Sequence, residues 1–135
     1  MELSNRMKST KSTFKLLKSS WGICITIGGT SEKIDGDSNE LEILTLSQNL
    51  MDEEIAFLKN GFNYFFSLVN FDFKYKISID ELSFSDCDCQ IEGLFYAMIL
   101  WLSEHFEVDM LNFKCDFNKV SNKYEFPDLK RFITL

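Results

Sequence analysis

Chemistry in a protein rests on a few kinds of side chain, and this chain is sparing with them. One histidine (His105) and four cysteines (Cys24, Cys87, Cys89, Cys115) are the candidate bases, nucleophiles and soft metal ligands in 135 residues. His105, Cys87, Cys89 and Cys115 would be the set for a zinc ion, but their spacing matches none of the usual paired-ligand patterns. Asp35-Gly36-Asp37-Ser38-Asn39 opens like a calcium loop. Its sixth position is Glu40 where the turn needs glycine, and its twelfth is Leu46 where the bidentate glutamate belongs. No serine stands in a glycine-flanked elbow, no glycine-rich phosphate loop follows a strand, and no cysteine has a histidine at motif spacing. The expectation is a protein that is no enzyme, with no metal and no cofactor. Four cysteines without an export signal read as reduced thiols, and Cys24 and Cys115 fall at strand positions suited to a small apolar residue.

Carboxylates are the one abundant functional group, and they are unevenly spread. Glu32, Asp35, Asp37, Glu40, Glu42, Asp52, Glu53 and Glu54 against Lys33 and Lys59 leave −6 between positions 30 and 60. Asp80, Glu81, Asp86, Asp88 and Glu92 add −5 with no basic residue among them, while the first twenty residues carry +4. Both clusters precede helices, where carboxylates suit the positive end of the dipole. If the two helices lie side by side and parallel, the clusters merge into one acidic end. Glu32, Asp35, Asp37, Glu40, Glu42, Asp52, Glu53, Asp80, Glu81, Asp86 and Asp88 are therefore the candidate docking residues for a basic protein.

The elements that must position these residues are organised around Leu82–Phe106. Ser85, Asp86 and Asp88 offer oxygens to the free N–H groups of a helix start. Ile91, Leu94, Phe95, Met98, Leu102 and Phe106 then form a helical stripe, widened by Ala97, Ile99, Leu100 and Trp101 until most of the circumference is apolar. Such a helix is buried on more than one side. Gly93 and Ala97, one turn apart, are where another backbone can come close, and His105 brings a cation to the helix C-terminus. At about 17 residues without basic flanks the helix is marginal for a membrane span.

Upstream, residues 1–12 are polar and expected to be frayed. Phe14 and Leu16, then Trp21, Ile23, Ile25 and Ile27, alternate on either side of Lys18-Ser19-Ser20 as a hairpin that Gly28-Gly29 ends. Thr30–Glu40 is a polar connection, and Leu41–Leu46 adds a short strand. Thr45 and Gln48 read as the capping box of a first helix. Met51, Ile55, Leu58, Phe62, Phe65 and Val69 keep the helical period across Asn60-Gly61, against the competing reading of a strand over 62–69. Phe71, Phe73, Tyr75, Ile77 and Ile79 alternate as a strand, but Leu82 and Phe84 have the other parity. A period of two cannot change face without an extra residue, so a bulge is expected at Asp80-Glu81. Leu111, Phe113, Cys115 and Phe117 alternate again, Asn118–Asn122 turn the chain, Tyr124 and Phe126 return it, and Asp128–Leu135 reads as a last helical turn. Together these predict a single α+β domain over 1–135, a two-layer sandwich of a mostly antiparallel sheet with two main helices on one face.

Composition narrows the partner. With 45% hydrophobic residues, 15% aromatics and a net charge of −7, the chain is that of a globular domain. An acidic protein without a basic patch is not expected to bind nucleic acid or an anionic membrane. MELSNRMKSTKSTF has no apolar run to make a secretory signal, so the cytoplasm is the expected compartment.

A small, acidic, Phe-, Ile-, Lys- and Asn-rich α+β chain of this kind, together with FSDCDCQIEGLFYAMILWLSEHF, resembles the immunity proteins that protect bacteria from their own polymorphic or contact-dependent growth inhibition toxins. The resemblance implies a monomer or weak dimer that binds and neutralises a cognate toxin domain, commonly a basic nuclease. No residue role carries over. Two other likenesses stand beside it: a secretion chaperone for an effector, which is also small and acidic, and a phage tail-completion protein, over FKYKISIDEL…WLSEHF.

Overall fold

The computed structural model describes residues 7–18, 21–44, 50–84, 91–108, 116–118 and 123–125. They form β1 (Met7–Lys18), β2 (Trp21–Ile34), β3 (Glu40–Ile43), α1 (Asp52–Leu68), β4 (Lys74–Ser83), α2 (Gly93–His105), β5 (Asp116–Asn118) and β6 (Lys123–Glu125). The main sheet has the order β1-β2-β4-β3, antiparallel except for the parallel pair β3–β4, and β5 pairs with β6 in a separate antiparallel ribbon. Two helices pack against a mixed sheet, so the α+β architecture is the one that the hydrophobic periods predict.

The hairpin is longer than its hydrophobic alternation. β1 begins at Met7, which faces Glu32, so residues 7–12, expected to be frayed, are paired strand. Likewise β2 does not end at Gly28-Gly29 but runs on to Ile34. The reason lies across the sheet. Gly28 pairs with Glu81 and Gly29 with Ile79, which leaves Asp80 as an extra residue in β4: the bulge expected from the parity change. Ile77 and Ile79 are buried before it, and Leu82 after it. At the bulge the strands close so tightly that a Cβ on Gly29 would sit 2.3 Å from the Ser78 carbonyl oxygen. The glycines admit a close approach, not a turn.

α1 crosses the Asn60-Gly61 step unbroken, as the helical spacing predicts. Its start differs from the expected one. The helix opens at Asp52, where the Glu54 carboxylate accepts the Met51 N–H at 2.8 Å, and Thr45 and Gln48 lie outside the described residues. The close approach of the helices involves a glycine of α1. A Cβ on Gly61 would be 2.6 Å from the Phe95 carbonyl oxygen and 3.0 Å from the Met98 Cβ, so it is this glycine that lets the axes meet.

α2 is buried nearly all round: Leu94 to Ile99, Trp101, Leu102, Ser103 and His105 are inside. It lies against β1 and β2 on one side and against α1 on the other. Below the crossing, Phe65, Phe66, Phe71, Tyr75 and Phe106 form a cluster of rings with centroids 4.8–6.5 Å apart. The expected caps Ser85, Asp86 and Asp88 and the tail 128–135 lie outside the described residues.

Candidate functional site

One end of the main sheet is built by β2, the loop 35–39, β3 and the start of β4. Pairing fixes it: Ile34 faces Lys74, Glu32 faces Lys76, and Glu40 faces Lys76 from the other side. The Asn39 side chain accepts the Tyr75 N–H at 2.8 Å, which ties the loop to β4. Glu32, Asp35, Asp37 and Glu40 are all exposed there. Glu42 alone of this group has a described ion pair, to Lys76 at 3.3 Å. Phe73 immediately precedes β4 and is 53% exposed, with the Lys33 ammonium 4.3 Å from its ring centroid. Asp72 beside it is also exposed, and after burial its charge is the second cause that pushes the Tyr75 phenol above its ordinary pKa.

Of the other candidate carboxylates, Asp52, Glu53, Asp80 and Glu81 lie within the described residues. The helices do run in the same direction, since Gly61 meets Phe95 and Met98 while Phe65 and Phe66 reach Phe106. Their starts are not level, however. Asp52 and Glu53 stand in the first turn of α1, nine residues and roughly 13 Å of helix before Gly61, whereas α2 begins only two residues before Phe95. Asp80 is the exposed bulge residue, and Glu81 bonds Lys11 at 3.3 Å on the sheet face away from the helices. Asp86 and Asp88 lie outside the described residues. Among the described residues the acidic end is made by the β2–β3 connection.

A second polar cluster, which the sequence reading missed, is sealed under α2. His105 is fully buried, with Nε2 2.7 Å from the Ser31 hydroxyl and Nδ1 bonded to the Thr10 hydroxyl. Burial first, and the nearby Lys8 second, lower its pKa from 6.5 to about 4. The expected cation at the helix C-terminus is therefore a neutral imidazole. Lys8 takes that part instead: its ammonium donates to the His105 carbonyl and lies 3.8 Å from Glu107. Glu107 adopts a left-handed φ of 58°, and the Val108 N–H closes the helix on the Ser103 carbonyl at 2.8 Å. Trp101 donates its indole N–H to the Thr10 carbonyl at 3.0 Å, and Ser12 bonds the Glu104 carboxylate. Ser31 and His105 have the spacing of a nucleophile and its base, but both are buried and no carboxylate orients the ring. The signal was available in parity. Continuing the alternation of Ile25 and Ile27 through the glycines puts Ser31 on the inward face.

Cys24, expected at an apolar position, is exposed; Cys87, Cys89 and Cys115 lie outside the described residues. Among the described residues no group of three metal-ligating side chains is close enough to hold an ion, and no helix is long and apolar enough to cross a membrane.

No protein-family model and no curated protein matches the sequence. Among solved structures, a crystal structure of a Thermus thermophilus protein is similar at a TM-score of 0.56 and 10% identity, over 70% of this chain. The match spans 15% of that protein's length, and at this identity it speaks to the fold alone.

Proposed function

We propose that this domain is a non-catalytic binding protein that docks a basic protein with the acidic end of its sheet. In the fuller form of the reading it is a cytoplasmic immunity protein, monomeric or weakly dimeric, that neutralises a cognate toxin domain. The observation that carries the proposal is a grouping: Glu32, Asp35, Asp37 and Glu40 stand exposed within one strand–loop–strand unit, at the end of the sheet where Phe73 is also exposed. Exposed aromatics supply affinity at protein interfaces, and exposed charges supply steering. A net charge of −7 extends the attraction for a basic partner beyond contact distance. The absence of catalysis is supported by the fate of the chain's one imidazole, which is buried and bonded at both ring nitrogens.

The test begins with affinity capture from the native strain and identification of the partner by mass spectrometry. Reversing Asp35, Asp37, Glu40 and Glu42 together should then slow association by roughly tenfold or more, flatten its salt dependence, and change dissociation less. An unchanged association rate with unchanged salt dependence would overturn the proposal.

A further inference from the structure

The acidic end contains an aromatic face that is already occupied by a cation of the protein's own. Lys33 projects from β2, opposite Tyr75, and its ammonium lies 4.3 Å from the centre of the Phe73 ring. Phe73 keeps 53% of its surface in water even so, which leaves part of the ring open to a partner. Asp35 and Asp72 stand exposed on the adjoining backbone. We infer that Phe73 is the receptor for an arginine side chain of the basic partner, and that Lys33 is a built-in cover which the arginine displaces. The inference rests on the docking proposal above and names the chemistry of its central contact.

Arginine is favoured over lysine by the shape of the site. A guanidinium is planar and weakly hydrated, so it stacks on the ring while its fork of N–H groups reaches a flanking carboxylate. An ammonium is a compact, strongly hydrated point charge and gains less from leaving water. Lys33 is exposed, and among the described residues its ammonium has no ion pair, so it can leave the ring for water. Cation–π contacts at exposed sites correspond to roughly two- to fivefold in affinity, enough to set a preference and too little to lock the site.

The probes are a nona-arginine and a nona-lysine peptide, titrated at one ionic strength while the ring resonances of Phe73 are followed by NMR. The wild type should prefer nona-arginine and shift those resonances on binding it. Lys33→Met should strengthen nona-arginine binding several-fold more than Lys74→Met, which removes the same charge from β4 without uncovering the ring. In a Phe73→Leu background the two methionine variants should become equal, and the preference for arginine should vanish. Thermal melts of each variant keep unfolding out of the comparison. Equal gains from Lys33→Met and Lys74→Met in the wild-type background, or an arginine preference that survives Phe73→Leu, would overturn the inference. If the quadruple acidic reversal nevertheless abolishes peptide binding, the docking proposal stands without it. If neither the reversal nor Phe73→Leu alters binding, both fall.

Discussion

Ser31 and Glu32 are consecutive residues of β2, and they belong to two different environments. Ser31 is buried under α2 with its hydroxyl on His105, while Glu32 is exposed at the acidic end. The first region spends its polar groups on each other: Thr10, Ser12, Ser31, Trp101, Glu104 and His105 all have partners there. The second holds carboxylates that bond little of the protein itself. A period of two along one strand divides structural polarity from available polarity. The lesson is that a polar residue next to a docking surface says nothing about that surface until its face is known.

The comparison is broken most severely from the apolar floor of the sealed region. Leu94 and Met98 have no exposed surface, so Leu94→Ala or Met98→Ala should cost about 2–5 kcal/mol in denaturant unfolding. Association at the acidic end should be untouched in conditions where these variants remain folded. A variant of undiminished stability that had lost its partner would instead make the helix face a site.

Acid should break the sealed region next. The folded pKa of His105, about 4, lies below the ordinary 6.5, so between those values the unfolded chain binds a proton that the native state refuses. Stability contributed by the neutral ring is complete above pH 6.5 and lost as pH falls through about 4. A loss of up to about 3 kcal/mol is expected over that window. Lys8 adds to the effect, whereas Glu104 and Glu107 stand near enough to moderate it. His105→Gln should flatten the slope of stability between pH 6.5 and 4.5 even if it lowers the plateau. An unchanged slope would mean the ring takes up its proton without opening the cluster.

Gly61→Ala sharpens the comparison from the helix crossing. Alanine is the better helix former by about 1 kcal/mol, so on an exposed helix the change would stabilise. Here the new methyl group would lie 2.6 Å from the Phe95 carbonyl oxygen, a backbone atom that cannot simply rotate away. A net loss of about 1–3 kcal/mol is expected from overpacking. A gain in melting temperature would show that the two helices slide apart freely.

Much of this architecture was legible in the sequence, because burial on one face leaves a period. The hairpin, α1 through Gly61, the apolar α2 and the bulge at Asp80 all follow from the spacing of Ile, Leu and Phe. What was not legible depends on partners distant in the chain. Gly28-Gly29 looks like a terminator until Ile79 and Glu81 are seen to straddle it. β3 is four residues long and lies parallel to β4, which no local pattern encodes. The same limit applies to the candidate site. Acidic composition pointed to Glu32–Glu42, whereas the offset between the two helix starts depends on the position of the crossing along α1, which Gly61 sets. Phe73 read as one more inward residue of an alternating strand; β4 begins one residue later, and the ring is left outside.

The smallest effect is expected where the two regions share an outer surface. Glu42–Lys76 and Glu81–Lys11 are ion pairs at 3.3 Å with every partner substantially exposed. Water screens such pairs, and holding two long side chains in one geometry costs entropy, so each contributes about 0–1 kcal/mol. Glu81→Gln and Glu42→Gln should therefore leave unfolding midpoints nearly unchanged. Their effects on association should nonetheless differ. Glu42 belongs to the acidic end, and its neutralisation should slow encounter with a basic partner slightly; Glu81 lies at the bulge, five positions along β4 from Lys76, and should not. Stability measured beside association rate for this pair separates the two roles. Equal slowing by both substitutions would mean that net charge alone steers the partner, and that the strand–loop–strand unit holds no privileged place on the surface.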